Sequence, residues 1–403
     1  MADTILTLNA GSSTIKIGLY EVTEGGPQRR AKGVADLRAE PPQLRLTADA
    51  TEREMPLADP EDPEAVLSVA LDAVRGIAAG PPAAVAHRVV HGGDRFAGPV
   101  GIDDAVIDEL EALTVLAPLH QPQALRLVRA MRALAPDIVQ TASFDTAFHR
   151  SMPDRNRRFA LPRALHDEGI KRYGFHGLSY ASIAAALRRE HPALAAGRVV
   201  AAHLGSGASL CAMAHGESRD TSMGFSTLEG VPMATRCGAL DAGVVLHLLG
   251  PGGRSREDVE DMLYHRAGLL GVSGISADTR ALLESPAAAA REALDLFAFR
   301  VAGEVARLAV SLGGLDALVF SAGIGENQPQ VRAAIAAHLG WLGLALDADA
   351  NDAGANDAAA SDAGARSIAT GESPVACLVV PTDEEQVLAL EAASLLAGSD
   401  RPA

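Results

Sequence analysis

Two runs of apolar and strand-favouring residues open the chain, with a polar break between them. The stretch LTLNAGSSTIKIGLYE, residues 6–21, reads as a strand, then Asn9-Ala10-Gly11-Ser12-Ser13-Thr14, then a second strand. A tight hairpin needs only two turn residues, usually Asn-Gly or Asp-Gly. This connection is longer, and a lysine, Lys16, follows it. It is either a wide hairpin loop or a phosphate cradle of glycine-exposed N–H groups, hydroxyls and one ammonium. The pattern recurs half a chain later. VVAAHLGSGASLCAMAHG, residues 199–216, aligns with the first stretch at a shift of 194, setting Gly205 on Gly11 and Ser206 on Ser12. Duplication accounts for this, and so does chance likeness of Gly-Ser turns. A third glycine-rich site, LVFSAGIGENQPQVRAAIAAHL at 318–339, predicts a strand, a glycine turn over Ser321–Asn327 and a helix after Pro329. A strand, a turn and a helix N-terminus make a common nucleotide-contact geometry, although neither the P-loop nor the G-x-G-x-x-G spacing is present.

Three glycine loops in two similar halves suggest a nucleotide held in a cleft between them. The expected fold is therefore α/β, a duplicated two-domain actin-like architecture of the sugar kinase, Hsp70 and actin type, with the active site in the interdomain cleft. The domain boundaries expected are 1–147 plus 384–403, and 148–383.

Composition narrows the class. At 403 residues the chain exceeds the size at which single cores stop growing, so two domains are the prior. Aromatic residues are 3% and Trp341 is the single tryptophan, so the cores must be built from Ala, Val, Leu and Ile. A net charge of −16 argues against a nucleic-acid or anionic-membrane surface, so any phosphate-binding cations must be local. Cys211, Cys237 and Cys377 are widely spaced and form no C-x-x-C pair; they read as small buried residues, not as a disulfide or zinc framework. The start, MADTILTLNAG, lacks a basic n-region. The most apolar later stretch, 305–325, is broken by Arg307 and Asp316, which argues against a membrane span. A cytoplasmic enzyme is the simplest class.

Several segments carry candidate chemistry. Arg88 sits in a strand-like run, AAVAHRVVHGGDRF, where a buried guanidinium is costly unless it meets an anion or an ion-pair partner. His120 precedes Pro122, which suits the first turn of a helix. Asp145 ends an apolar β-rich run, a place for a catalytic carboxylate or a helix cap. His176 lies between an aromatic and a glycine, before an alanine-rich helix, and Arg236 lies in a loop of small residues. Thr382-x-x-Glu385 reads as a capping box, which assigns Glu385 to a helix start and leaves Glu384 unassigned.

The motifs LNAGSSTIK, HRVVHGG, APLHQP, FDTAFH, RYGFHGLS, HLGSGAS, GVPMATRCG, SGIS, SAGIGEN and PTDEE follow one another in the order and spacing of acetate kinases. The chain resembles that family from Ile5 to about Leu396. The resemblance implies Mg-dependent, reversible, direct in-line transfer of the ATP γ-phosphoryl group to acetate, giving acetyl phosphate and ADP. Magnesium, or manganese in its place, would be linked to Asn9 and Glu384. Lys16 and Ser12 would serve the first phosphate loop, and His203, Leu204, Gly205, Ser206 and Gly207 the second. Asp278, Thr279 and Arg280, with Ala322, Gly323, Ile324, Gly325 and Glu326, match nucleotide-base and ribose contacts. Arg88 and Arg236 match the arginines that hold the carboxylate and the phosphoryl group in flight, Asp145 the catalytic acid and His176 the transition-state histidine. His120 matches a position near the same pocket. Val90, Leu119, Phe175 and Pro232 match the acetate-methyl pocket. A homodimer is implied as well.

There are departures from the family pattern. The second loop usually has asparagine where Ser206 stands, and Ala239 and Ala242 replace an acid and a proline. The Ala-Asp-rich segment 345–367 reads as a solvated excursion between strands. A noncatalytic actin-like protein would not need Arg88, His176 and Arg236 together. A propionate or butyrate kinase of the same family is the nearer alternative; Val90, stiff and β-branched, favours the smaller acetate.

Overall fold

A computed structural model describes residues 3–11, 13–49, 51–78, 80–353 and 364–399. Ser12 lies outside the described residues, as does 354–363 of the Ala-Asp-rich segment. The chain divides into two compact units. One runs to Phe148 and resumes at Asp383; the other is His149–Thr382.

The first unit is built on strands β1 (Thr4–Ala10), β2 (Thr14–Thr23), β3 (Gly26–Asp36), β4 (Gln43–Ala48), β5 (Thr51–Pro56), β6 (Ala84–Val89), β7 (Val100–Gly101) and β8 (Val139–Phe144). They form one sheet in the order β5-β4-β3-β2-β1-β6-β8-β7. Strand β1 is antiparallel to β2 and parallel to β6, which is parallel to β8. Residues Ile5 to Asn9 of β1 are all buried, as expected of a strand covered on both faces, which explains its unbroken apolar run. One face packs Leu6, Leu8, Ile17 and Leu19 against helix Pro63–Arg75, through Val66, Leu67, Ala70 and Val74. That i, i+1, i+4, i+8 spacing puts four side chains on one helical stripe. Each fully buried Val or Leu is worth about 1.5–3 kcal/mol. The chain enters this helix through an Asp62 cap and Pro63 at its first turn. Helix Gln121–Leu134 packs on the same side, and His120 is its N-cap residue, as its place before Pro122 predicts. Helix Glu384–Ser399 packs against β1, β2, β3 and β6.

The second unit is built on β9 (Arg198–Leu204), β10 (Ala208–Ala214), β11 (Glu217–Thr221), β12 (Ala317–Ser321), β13 (Arg366–Ser367) and β14 (Ala376–Val379), in the order β11-β10-β9-β12-β14-β13. Strands β9, β12 and β14 are parallel, and β10 is antiparallel to β9. The run β11-β10-β9-β12-β14 thus repeats the directions of β3-β2-β1-β6-β8. Adding 194 to the bounds of β1, 4 and 10, yields 198 and 204, the bounds of β9. This is the duplicated α/β architecture expected from the sequence. The two hairpins differ in register: Ala10 faces Ile15, whereas Leu204 faces Ala208, so the second loop is one residue tighter.

Three local expectations are corrected. The helix at 384–399 is capped by Asp383, whose Oδ1 accepts from the Gln386 N–H at 2.9 Å, and not by a Thr382-Glu385 box. The segment Ala322–Asn327 is a short helix that starts directly at the end of β12, not an open glycine turn; a second helix, Pro329–Ala337, follows. In the Ala-Asp-rich segment, Ala348–Asp352 is a helix, with Asp347 capping it through the Ala350 N–H at 3.0 Å. Asn351 is buried there against the fully buried Arg332, accepting from its Nε at 2.8 Å.

Candidate active site

In the first unit, the end of β1 meets the start of helix Glu384–Ser399. Asn9 Nδ2 donates to Glu384 Oε2 at 2.8 Å and to Glu385 Oε1 at 2.7 Å. Asn9 Oδ1 accepts from Arg88 Nη1 at 3.0 Å. Arg88 in turn donates from Nε and Nη2 to the two oxygens of Asp145, at 2.9 and 2.6 Å. Asp145 directly follows β8, as its place at the end of an apolar run suggests. Its carboxylate is 2% exposed and gripped at both oxygens by the Arg88 guanidinium. Burial opposes the charge of Arg88, but Asp145, Glu384 and Glu385 together raise its pKa above the ordinary value.

Glu385 belongs to this cluster, which its reading as a cap concealed. Burial raises its pKa, Lys16 opposes the rise, and Glu384 adds to it. Lys16 stands opposite Asn9 in the β1–β2 register. Asn9 thus bridges the Arg88 guanidinium and the two glutamates. The fit to magnesium is through carboxylate: Mg²⁺ keeps several waters and takes one or two carboxylates plus substrate phosphates. Glu384, buried and oriented by Asn9, suits that role. Among the described residues no cluster of three or more His, Cys, Asp or Glu forms an all-protein cage.

The first loop is braced from a helix. Gln123 Nε2 donates to the Gly11 carbonyl at 2.7 Å, and the Gly11 N–H reaches Thr14 O at 2.8 Å. Nothing in the local pattern marked Gln123. Val90, just past β6, is buried, while Leu119 is 45% exposed on the wall of a hollow shared with Ser13, Ile15 and Gln123.

In the second unit, His176 is the N-cap residue of helix Gly177–Glu190, held left-handed at φ 58°. Its ring stacks on that of His203 with centroids 4.3 Å apart. Ser209 Oγ lies 2.8 Å from His176 Nδ1, and Ser179 Oγ lies 2.8 Å from His203 Nδ1. The loop Gly205–Gly207 lies beside them. A Cβ on Gly207 would stand 3.4 Å from His176 Nε2 and 3.7 Å from Arg236 Nη1, so glycine lets the backbone approach both groups. The loop carrying Pro232 and Arg236 is stitched to this one by the Ala234 N–H donating to Ser206 O at 3.1 Å.

Arg236 Nη1 donates to Thr227 O at 3.3 Å, and among the described residues its guanidinium has no carboxylate partner. Burial lowers its pKa. A desolvated cation without a counter-ion is a ready anion site. Phe175 is 1% exposed, sealed in the core, and its carbonyl accepts from His149 Nε2 at 2.9 Å.

A hollow of about 850 Å³, ample for a nucleotide, brings together Gly205 and Ser206, Asp278, Thr279 and Arg280, and Gly323 and Ile324. Asp278 caps helix Thr279–Glu284 through the Arg280 N–H at 2.9 Å and pairs with the Arg280 side chain at 2.7 Å. Glu326 Oε1 accepts from the Ala322 and Thr382 N–H groups at 2.8 and 3.3 Å, which holds Ala322 left-handed at φ 64°. The departures are absorbed locally. The Ala239 N–H bonds Gly230 O at 2.7 Å, and Ala242 starts helix Ala242–Leu249 behind an Asp241 cap.

Comparison with known proteins identifies the family and agrees with the fold. The model of the acetokinase family matches residues 4–390. An acetate kinase of Nitrobacter hamburgensis is 44% identical, over 98% of this chain and 96% of that protein. One from Rhodopseudomonas palustris is also 44% identical, over 96% and 97%. Among solved structures, Porphyromonas gingivalis acetate kinase superposes with a TM-score of 0.84 at 34% identity, covering 98% of this chain and all of that one. A Francisella tularensis propionate kinase superposes at 0.86 with 31% identity, covering 96% and 98%. With a duplicated α/β fold and a family match along nearly its whole length, the chain belongs to the acetokinase family.

Proposed function

We propose that the chain is an ATP:acetate phosphotransferase, making acetyl phosphate and ADP reversibly. The observation that carries this is Arg236, desolvated, without a carboxylate partner among the described residues, and aimed with His176 Nε2 at the same glycine. Both substrates are anions, so the protein's task is to concentrate positive charge and position the groups.

In this reading a carboxylate oxygen of acetate attacks the γ-phosphorus in line. The new O–P bond forms as the bond to the β,γ-bridging oxygen breaks, and ADP carries away that electron pair. No proton needs to move. Asp145 orients Arg88, and Arg88 and Arg236 hold the carboxylate and the three equatorial oxygens. His176 donates to the transferred group. Magnesium, or manganese in its place, would be held by Glu384 with water and would neutralise phosphate charge. Lys16 and the loops at 11–13 and 203–207 would contact phosphates, and 278–280 and 322–326 would contact the nucleoside.

Two further readings attach to this one. Helix Ala242–Leu249 buries none of its residues, and Val244, Leu246 and Leu249 are 41%, 70% and 42% exposed. A contiguous apolar helix of this kind supports a homodimer that covers it. Free Cys211, Cys237 and Cys377 suit the reducing cytoplasm; no described helix is long and apolar enough to cross a membrane.

The test is a steady-state assay with acetate, propionate and butyrate, repeated with Val90→Ala. Acetate should lead, with propionate measurable, because one methylene is worth only about 1–3 kcal/mol. Val90→Ala should shift kcat/KM toward propionate, mainly through KM. Propionate or butyrate leading in the wild type would replace acetate as the substrate. Equal losses on both acids in Val90→Ala would make Val90 an ordinary core residue.

A further inference from the structure

Two consecutive residues in the first turn of helix Gly177–Glu190 reach the stacked imidazoles. Ser179 braces His203 directly. Tyr180 is fully buried, and its hydroxyl lies 2.5 Å from Ser209 Oγ, the atom that meets His176 Nδ1 at 2.8 Å. The main-chain N–H of His203 also bonds the Tyr180 oxygen. A main-chain N–H can only donate, so Tyr180 accepts there and has its own hydrogen for Ser209. Ser209 then has its hydrogen for His176 Nδ1. A neutral imidazole that accepts at one nitrogen carries its proton on the other. That other atom is Nε2, which faces Gly207 together with Arg236 Nη1. Burial pushes the Tyr180 phenol well above its ordinary pKa, so the start of the chain stays protonated.

We propose that Tyr180 is a positioning residue, which through Ser209 holds His176 as a neutral donor with its proton on Nε2. The transferred phosphoryl group then meets a donor of fixed orientation beside the charge of Arg236. This rests on the acetate kinase reading above. A donor that is already aimed needs no reorganisation at the moment of transfer.

The test compares wild type, Tyr180→Phe, Ser209→Ala and the double variant. The readouts are kcat, KM for ATP and acetate, the thermal midpoint and the imidazole ¹⁵N spectrum of His176. Each single variant should lower kcat by about tenfold or more while both KM values stay within about threefold. The double variant should be no slower than Ser209→Ala alone, because a residue acting through another contributes nothing once that one is gone. Wild-type His176 should show its proton on Nε2, and Tyr180→Phe should show a mixture of tautomers. A Tyr180→Phe enzyme within about twofold of wild-type kcat, or losses that multiply in the double variant, would overturn the assignment. So would a wild-type His176 protonated on Nδ1. If Tyr180→Phe does not fold, the wild-type spectrum and that of Ser209→Ala decide the case on the same criteria. A wild type that makes no acetyl phosphate, yet loses its Nε2 tautomer in Tyr180→Phe, would overturn the functional reading and leave Tyr180 in place.

Discussion

Arg88 grips both oxygens of Asp145, with Nη2 to Oδ2 at 2.6 Å, and the two side chains are 17% and 2% exposed. Removing one partner of so buried a pair leaves the other charge uncompensated, at a cost of about 3–5 kcal/mol. Asp145→Asn keeps the shape, loses the charge and turns an amide N–H toward guanidinium donors. It should lower kcat by about 100-fold or more and lower stability by a few kcal/mol. Kinetics and denaturant unfolding on one preparation check both. A variant that keeps stability and activity would remove Asp145 from the orienting role.

The start of helix Glu384–Ser399 separates three adjacent acids. Asp383 caps the helix at the Gln386 N–H, while Glu384 and Glu385 both accept from Asn9. Asp383→Ala should cost about 1 kcal/mol of stability with little change in magnesium dependence. Glu384→Gln should weaken the apparent magnesium affinity while moving the melting midpoint little. Melting curves and magnesium titrations of the two variants would show an exchanged pattern if the roles are reversed.

His149 is 1% exposed, and burial lowers its pKa from 6.5 to about 4. The unfolded chain therefore binds more protons than the folded one between those values. Its contribution is fully present above about pH 6.5 and is lost as pH falls toward about 4. At about pH 5 the loss from His149 alone should be roughly 2 kcal/mol, and buried His87 and His91, shifted the same way, add to it. Urea midpoints at about pH 7 and pH 5 measure it. His149→Gln should show a shallower fall; an unchanged slope would mean that the imidazole titrates normally.

Leu246 is 70% exposed on a helix that buries nothing. Leu246→Glu should leave the fold intact and halve the mass seen by sedimentation. A wild-type monomer, or a variant dimer as tight as wild type, would send the dimer contact elsewhere.

Much of this was legible in local pattern. Apolar runs flanking Gly-Ser loops marked β1–β2 and β9–β10, and their shift of 194 marked the duplication, because strand period and turn chemistry act over a few residues. His120 before Pro122 marked a helix start, and an apolar run marked the strand that ends at Asp145. Other features depend on residues far apart in the chain. Asn9 and Glu385 are 376 positions apart, and only packing of the last helix on β1 turned a supposed cap residue into part of an Asn9–Arg88–Asp145 cluster. Gln123 on Gly11, and Tyr180 behind Ser209 and His176, are likewise contacts between elements. The glycines at 323 and 325 suggested an open turn, but the Glu326 carboxylate binds the Ala322 N–H and makes a helix of them. Alanine and aspartate at 348–352 suggested solvated chain, but Arg332 buries Asn351 among them. Hydrophobic period determines which segments become strands and helices; which polar atoms find each other is decided only when the cores close, since each buried donor must take whatever acceptor the packing brings.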